Sequence, residues 1–136
     1  MRIVLCNGVF DLLHPGHVAH LQEARSFGDF LIVSLTLDQY VNKGPQRPIH
    51  KWEDRALLLR ALRCVDAVIP SMDGVDALLK VRPHIFAKGK DYIGNNRFID
   101  GILEACTTVG AEIRYTSTPK MSSAEIIRKT MGDHVD

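Results

Sequence analysis

Short β-rich runs separated by helix-period segments recur along the whole chain. RIVLC (2–6), FLIVSLT (30–36), AVIP (67–70), HIFAK (84–88) and EIRYT (112–116) read as strands. Between and after them, helical patterns cover 17–27, 52–63, 74–81, 98–108 and a last stretch from about 123. Strands that alternate with helices build βαβ units, because a parallel neighbour is reached only through a long crossover. The expected fold is α/β, an open, mainly parallel sheet with helices on both faces. In the first helix Val18, Leu21 and Ala24 with Arg25 hold the apolar spacing and Gly28 is placed to end it; Ala56, Leu59, Leu62 and Arg63 mark a similar stripe in the second. With 46% hydrophobic residues in 136, one domain over 1–136 with no linker is expected.

The charge balance narrows the function. A formal net charge of +1 lacks the basic excess of a nucleic-acid binder, so the expected partner is a small molecule. Cys6, Cys64 and Cys106 are odd in number, widely spaced and set among apolar residues, with no CxxC, as suits reduced core thiols of a cytoplasmic protein. The start of the chain shows no leader pattern, and no run approaches the roughly 18 apolar residues of a membrane span, so a soluble protein with no membrane partner is expected.

The chemistry concentrates in GVFDLLHPGHVAHL, residues 8–21, between the first strand and the first helix. In an open α/β sheet, ligands bind outside the carboxyl ends of the strands, where this segment falls. Gly8 and Gly16 let backbone approach a ligand, and a helix opening near Pro15 offers N–H groups and a positive dipole end to an anion such as phosphate. The segment is neither GxGxxG nor a P-loop. His14 and His17, three apart, project toward one region if the helix begins near Pro15, and there they donate to phosphoryl oxygens; by spacing alone the same pair serves equally as a helix cap. A metal on His14, His17 and His20 fits poorly, because successive three-residue steps drift around the helix. The longest polar loop, NKGPQRPIHK (42–51), has the length of a functional lid. Ser122 and Glu125 satisfy the capping-box spacing of another helix start, and hydroxyls at such a start suit anions. In AKGKDY (87–92), Gly89 lets the backbone pass close to a planar base; Asp91 is placed to accept from a base amino group or to form a turn. Asp11 either orients an imidazole or the ribose-phosphate, or makes an ordinary Asx turn.

GVFDLLHPGH resembles the GxFDxxHxGH signature of the cytidylyltransferase-like nucleotidyltransferases, a Rossmann-like α/β family whose hallmark is HxGH. KGPQRP, RCVDAVI, KGKDY and MSSAEII occur in the family's order, so the resemblance covers nearly the whole chain. RCVDAVI is similar to the glycerol-3-phosphate cytidylyltransferase branch; NGVFD, KGPQRP and KGKDY are similar to the branch that adenylylates heptose 1-phosphate, which fits better.

The resemblance implies attack of a substrate phosphate oxygen on the α-phosphorus of a nucleoside triphosphate, with loss of pyrophosphate and no covalent enzyme intermediate. AMP is the favoured group and the acceptor is a phosphorylated sugar or polyol; a CTP-dependent enzyme acting on glycerol 3-phosphate and a non-catalytic nucleotide-binding module are the alternatives. It makes His14, His17 and Lys43 the catalytic set, with Gly8, Val9, Phe10, Gly16, Gly89, Asp91, Ser122 and Ser123 around the nucleotide and Asp11, Arg47 and Arg63 around the phosphates. Mg2+ travels with the triphosphate and needs no protein cage. A homodimer is implied likewise. Arg55 is read as structural, pairing with Glu53 or Asp54. Two departures stand out: Ala124 where the family often has threonine, and Thr118, Pro119, Lys120 and Met121 in place of the Arg-Thr-x-Gly run of the glycerol-phosphate branch.

Overall fold

The computed structural model describes residues 1–90 and 96–117, with backbone alone for 96–100. Among the described residues five strands, β1 (Ile3–Gly8), β2 (Phe30–Thr36), β3 (Ala67–Ser71), β4 (Ile85–Gly89) and β5 (Glu112–Thr116), alternate with α1 (Pro15–Arg25), α2 (Trp52–Arg60), α3 (Gly74–Val81) and α4 (Asn96–Val109). A single 3₁₀ turn, Asp38–Tyr40, follows β2. The sheet is parallel throughout, in the order β3-β2-β1-β4-β5. Its order reverses at β1, so a crevice opens between the carboxyl ends of β1 and β4, where the crossovers on either side diverge to opposite faces.

Strand alternation builds two cores. Val4, Cys6, Leu31, Val33, Leu35, Ile85 and Ala87 point to one face and pack with Leu21 and Ala24 of α1 and Ala56 and Leu59 of α2. Leu5 and Phe86 point to the other, against Ala77 and Leu78 of α3 and Ala105 and Cys106 of α4. The two-residue period thus places α1 and α2 on one face and α3 and α4 on the other. All three cysteines are free thiols, and burial pushes Cys6 up to about 12, leaving it an inert core group. Among the described residues no helix is long and apolar enough to cross a membrane.

The helix ends differ from the apolar pattern. α1 opens at Pro15 because His14 caps it, and it closes at Arg25, before Gly28, whose backbone runs so close to β1 that a Cβ would lie 2.7 Å from the Arg2 carbonyl oxygen. α2 stops at Arg60, although the apolar spacing continues to Leu62. There the chain tightens into i→i−3 bonds, Leu62 N to Leu59 O and Val65 N to Leu62 O, that lead into β3.

Candidate active site

β1 ends at Gly8, and the chain then turns sharply. Phe10 and Leu12 both hold left-handed φ values of 49° and 56°. For a residue with a side chain each costs about 1–2 kcal/mol, and such strain collects at functional turns. The Phe10 ring folds back over Gly8, where an added Cβ would meet it at 2.8 Å, so the glycine is a packing requirement.

His14 is the N-cap of α1, in extended backbone, and its Nδ1 accepts from the Gly16 amide at 3.1 Å and the His17 amide at 3.4 Å. His17 returns the bond, its Nδ1 accepting from the His14 amide at 3.3 Å. This is a capping box made of two imidazoles. Because both Nδ1 atoms accept, the ring proton of each neutral imidazole resides on Nε2, an assignment that follows from the bonding pattern. Capping and phosphate donation therefore use opposite edges of the same rings and do not compete. The rings stack at 3.7 Å between centroids, and Phe10 packs edge-on to His17 at 5.3 Å.

Burial pushes the His17 pKa down to about 3, with repulsion from His14, Lys43 and His20 adding to the effect, so His17 acts as a neutral N–H donor at physiological pH. His20 is pushed down to about 4, by burial and then by Lys88. Between the ordinary value of 6.5 and these values, the unfolded chain takes up protons that the folded chain refuses, so stability falls as pH drops through that window. The urea midpoint should be lower at pH 5 than at pH 7, and a His17→Gln/His20→Gln variant should show a smaller difference. An equal difference in both proteins contradicts the neutral, buried state.

The second component is the loop between the 3₁₀ turn and α2. Asp11 is 1% exposed and gathers its far side: Oδ2 accepts from Arg47 Nε at 2.9 Å and the Ile49 amide at 2.7 Å, and Oδ1 accepts from the His50 amide at 3.0 Å. Burial alone would raise its pKa, but the His50 and Ile49 amides and Arg47 outweigh burial and hold it below the usual value. The Asp11 carboxylate is thus a tether for the loop. Arg55, also 1% exposed, donates to the His50 carbonyl at 2.9 Å, to the Val9 carbonyl at 2.8 Å and to Asp38, not to Glu53 or Asp54. These two groups bind the Phe10 turn to the base of the loop. Residues 42–46 stay exposed, with Lys43 among them. Arg47 keeps Nη2 buried with no hydrogen-bond partner among the described residues.

The third component is a cavity of about 470 Å3 across the carboxyl ends of the strands, reaching from Met72 past β3 to Tyr115 on β5. Gly8 and Val9 line it, and so do Thr36, Lys43 and Lys88. Val75, Ile102 and Ile113 form an aliphatic wall. Asn7 braces the floor: with its amide oriented so that both ends are paired, Nδ2 donates to Ser34 Oγ at 2.8 Å and Ser71 Oγ at 3.2 Å, and Oδ1 accepts from the Gly74 amide at 3.2 Å. Gly74 is close-packed here, since a Cβ would lie 2.8 Å from Ile102 Cδ1.

The structure brings Gly8, Val9, Phe10, Asp11, His14, Gly16, His17, Lys43, Arg47 and Gly89 to the carboxyl edge of the sheet. Arg63 is not among them. The resemblance places it near the active site, but it stands exposed in the turn before β3, at the amino ends of the strands, because α2 runs back down the sheet and ends at Arg60. Asp66 closes that same far end, accepting from the Leu31 amide at 2.8 Å and pairing with Arg25 at 3.0 Å. His20 turns away from the imidazole stack to Thr116 Oγ1, 2.7 Å from its Nδ1. Among the described residues no cluster of three or more His, Cys, Asp or Glu side chains is disposed to hold a metal ion. Asp91, Ser122, Ser123, Ala124, Glu125 and the last helix lie outside the described residues. Lys88, Asn7 and Thr36 were missed by sequence reasoning. Only the apolar-to-polar change at the end of each strand hinted at them.

N–H donors and ammonium groups gathered at the switch point of a parallel sheet suit phosphate oxygens, and the class that this fold and site define is a Rossmann-like α/β protein with an anion-binding cleft. The chain belongs to the cytidylyltransferase-like family, whose pattern matches residues 5–129. It is similar to the bifunctional protein HldE of Methylobacillus flagellatus, 42% identical over 132 residues that cover 94% of this chain and 27% of that protein. HldE of Sulfurimonas denitrificans is 48% identical over 99 residues, covering 70% of this chain and 21% of its own length. The chain therefore spans about a quarter of the length of these curated relatives. Among solved structures, a lipopolysaccharide core biosynthesis protein from Thermoplasma volcanium superposes with a TM-score of 0.73 at 26% identity, covering 88% of this chain and 99% of that one.

Proposed function

We propose that this chain transfers AMP from ATP to a phosphorylated sugar, with heptose 1-phosphate the favoured acceptor, and releases pyrophosphate. The observation that carries the reading is the histidine capping box, which fixes two Nε2–H donors at the N-terminus of α1 beside a cavity lined by Lys43 and Lys88. An acceptor phosphate oxygen attacks the α-phosphorus, the new P–O bond forms, and the bond from that phosphorus to the bridging oxygen of the leaving pyrophosphate breaks. His14 and His17 donate to phosphate oxygens as charge builds there, α1 adds its dipole, and Lys43 closes over the triphosphate. The buried Nη2 of Arg47 is a further donor for a phosphate that enters under the loop. Gly8, Val9, Phe10, Gly16 and Gly89 form the backbone surface around the nucleotide, and the resemblance assigns nucleotide contacts to Asp91, Ser122 and Ser123 as well.

The donors present are N–H groups and ammonium ions, which suit phosphate oxygens. Mg2+ would accordingly be carried by the nucleotide and, when bound, would supply charge neutralisation on the triphosphate. The name of the Thermoplasma neighbour supports a role in supplying activated sugar for surface polysaccharide. We place the protein in the cytoplasm, as a homodimer of a 1–136 catalytic unit.

The test is pyrophosphate release from ATP or CTP with heptose 1-phosphate, glycerol 3-phosphate or ethanolamine phosphate. Turnover with ATP and heptose 1-phosphate is expected. Preference for CTP with glycerol 3-phosphate would establish the cytidylyltransferase alternative, and nucleotide binding without turnover on any acceptor would establish a non-catalytic module.

A further inference from the structure

We propose that His20 and Glu23 are positioning residues for the transfer: from one flank of α1 they clasp the end of β5, and so hold the ring edges of His14 and His17 at a fixed place over the sheet. The inference rests on the transfer reading above, since it gives these side chains a share in a step that the two imidazoles carry out.

The apolar seam of α1 is narrow. Leu21 and Ala24 are its fully buried residues, which for a helix of 11 leaves rotation about the axis and sliding over the sheet weakly fixed. Polar contacts on the two flanks supply what the seam lacks. A step of about 100° per residue sets Arg25 on one side of the Leu21/Ala24 stripe and His20 and Glu23 on the other. Arg25 donates to the Gly28 carbonyl at 2.9 Å and pairs with Asp66 at 3.0 Å, and Asp66 accepts from the Leu31 amide, so this flank is tied to the start of β2. In the order β3-β2-β1-β4-β5 the opposite flank faces β5. There Glu23 Oε1 accepts from the Ser117 amide at 2.9 Å and from its hydroxyl at 3.0 Å, while Oε2 accepts from the same amide at 3.2 Å. Ile113 packs on the α3/α4 core, so alternation along β5 turns the buried Thr116 toward α1, where its Oγ1 lies 2.7 Å from His20 Nδ1. His20 is three residues from His17, about 4.5 Å along the axis. A helix held at its Arg25 end alone would let the imidazoles swing, and a displacement of about 1 Å at reacting groups costs on the order of a hundredfold in rate.

The experiment measures pyrophosphate release and, by calorimetry, the binding of ATP with Mg2+ in the intact chain and its variants, with a urea titration as the check on folding. Opening the clasp in His20→Ala/Glu23→Ala predicts a kcat lower by about tenfold to hundredfold. The same pair of changes made in a His17→Ala background should cost no more than about threefold further, because residues that act as a unit are not additive. An equal fold-loss in the two backgrounds is what a role in stability alone produces, and it overturns the proposal, as does a folded His20→Ala/Glu23→Ala variant with full kcat. An asparagine amide reaches the place of Nδ1 and a glutamine amide that of Nε2, so His20→Asn should keep most of the activity and His20→Gln should not. Should the double variant fail to fold, this pair decides: equal kcat in the two overturns the proposal, and activity kept by asparagine alone upholds it. An intact chain that binds ATP and turns over no acceptor sinks the transfer reading alone. The clasp then stands if opening it weakens ATP binding more in the wild-type background than in His17→Ala, and falls if the weakening is equal.

Discussion

Replacing His17 with alanine should lower kcat by about a hundredfold to a thousandfold, the usual cost of removing one positioned donor to a developing charge. The imidazole is held neutral by burial and oriented by the His14 amide on its Nδ1, so under the proposed mechanism its Nε2–H is fixed as a donor before the nucleotide arrives. An interaction made in the transition state alone lowers kcat and kcat/KM together. Alanine also deletes half of the capping box, which costs about 1 kcal/mol of stability. That loss is too small to unfold the chain at working temperature, and a urea titration separates it from the catalytic effect. A folded His17→Ala enzyme with full kcat contradicts the assignment.

Asp11→Ala should be the most damaging change to the fold around the site. The carboxylate is buried and accepts three hydrogen bonds, from Arg47 and from the Ile49 and His50 amides. Alanine would strand the Arg47 guanidinium and two backbone donors in the interior, which costs about 3–5 kcal/mol. The loop would lose its anchor in the histidine turn, so the ATP KM should rise as Lys43 loses its position. Asp11→Asn preserves shape and removes charge, and should fall between the two. Chemical denaturation reads the stability and pyrophosphate release reads the loop. A variant as stable as the wild type, with unaltered ATP KM, would show that the tether carries no weight.

Much of this architecture is legible in the residue order because parallel buried strands and amphipathic crossovers have distinct periods. The helix over 74–81 coincides with the structural one, and every strand was located to within a residue or two. The histidine turn was legible as a ligand address because it lies between the first strand and the first helix. Long-range partners were not legible. Nothing in WEDR announces that Arg55 reaches back to Val9 and Asp38 instead of its own helix. Asp11 reads as a local turn former, yet its donors lie 36 to 39 residues away. Lys88 looks like one lysine of two in KGKDY until β4 is seen next to β1. Arg63 shows the converse, since motif order cannot tell which end of the sheet a turn occupies.

The central claim is that the Nε2 edges of His14 and His17 hold the nucleotide phosphates at the start of α1. A crystal structure of the chain with a non-hydrolysable ATP analogue and Mg2+ tests it most directly. The account predicts phosphate oxygens within hydrogen-bond distance of both Nε2 atoms, with the two Nδ1 atoms still accepting from the helix amides. Phosphates seated away from α1, with those ring edges packed against protein, would contradict it.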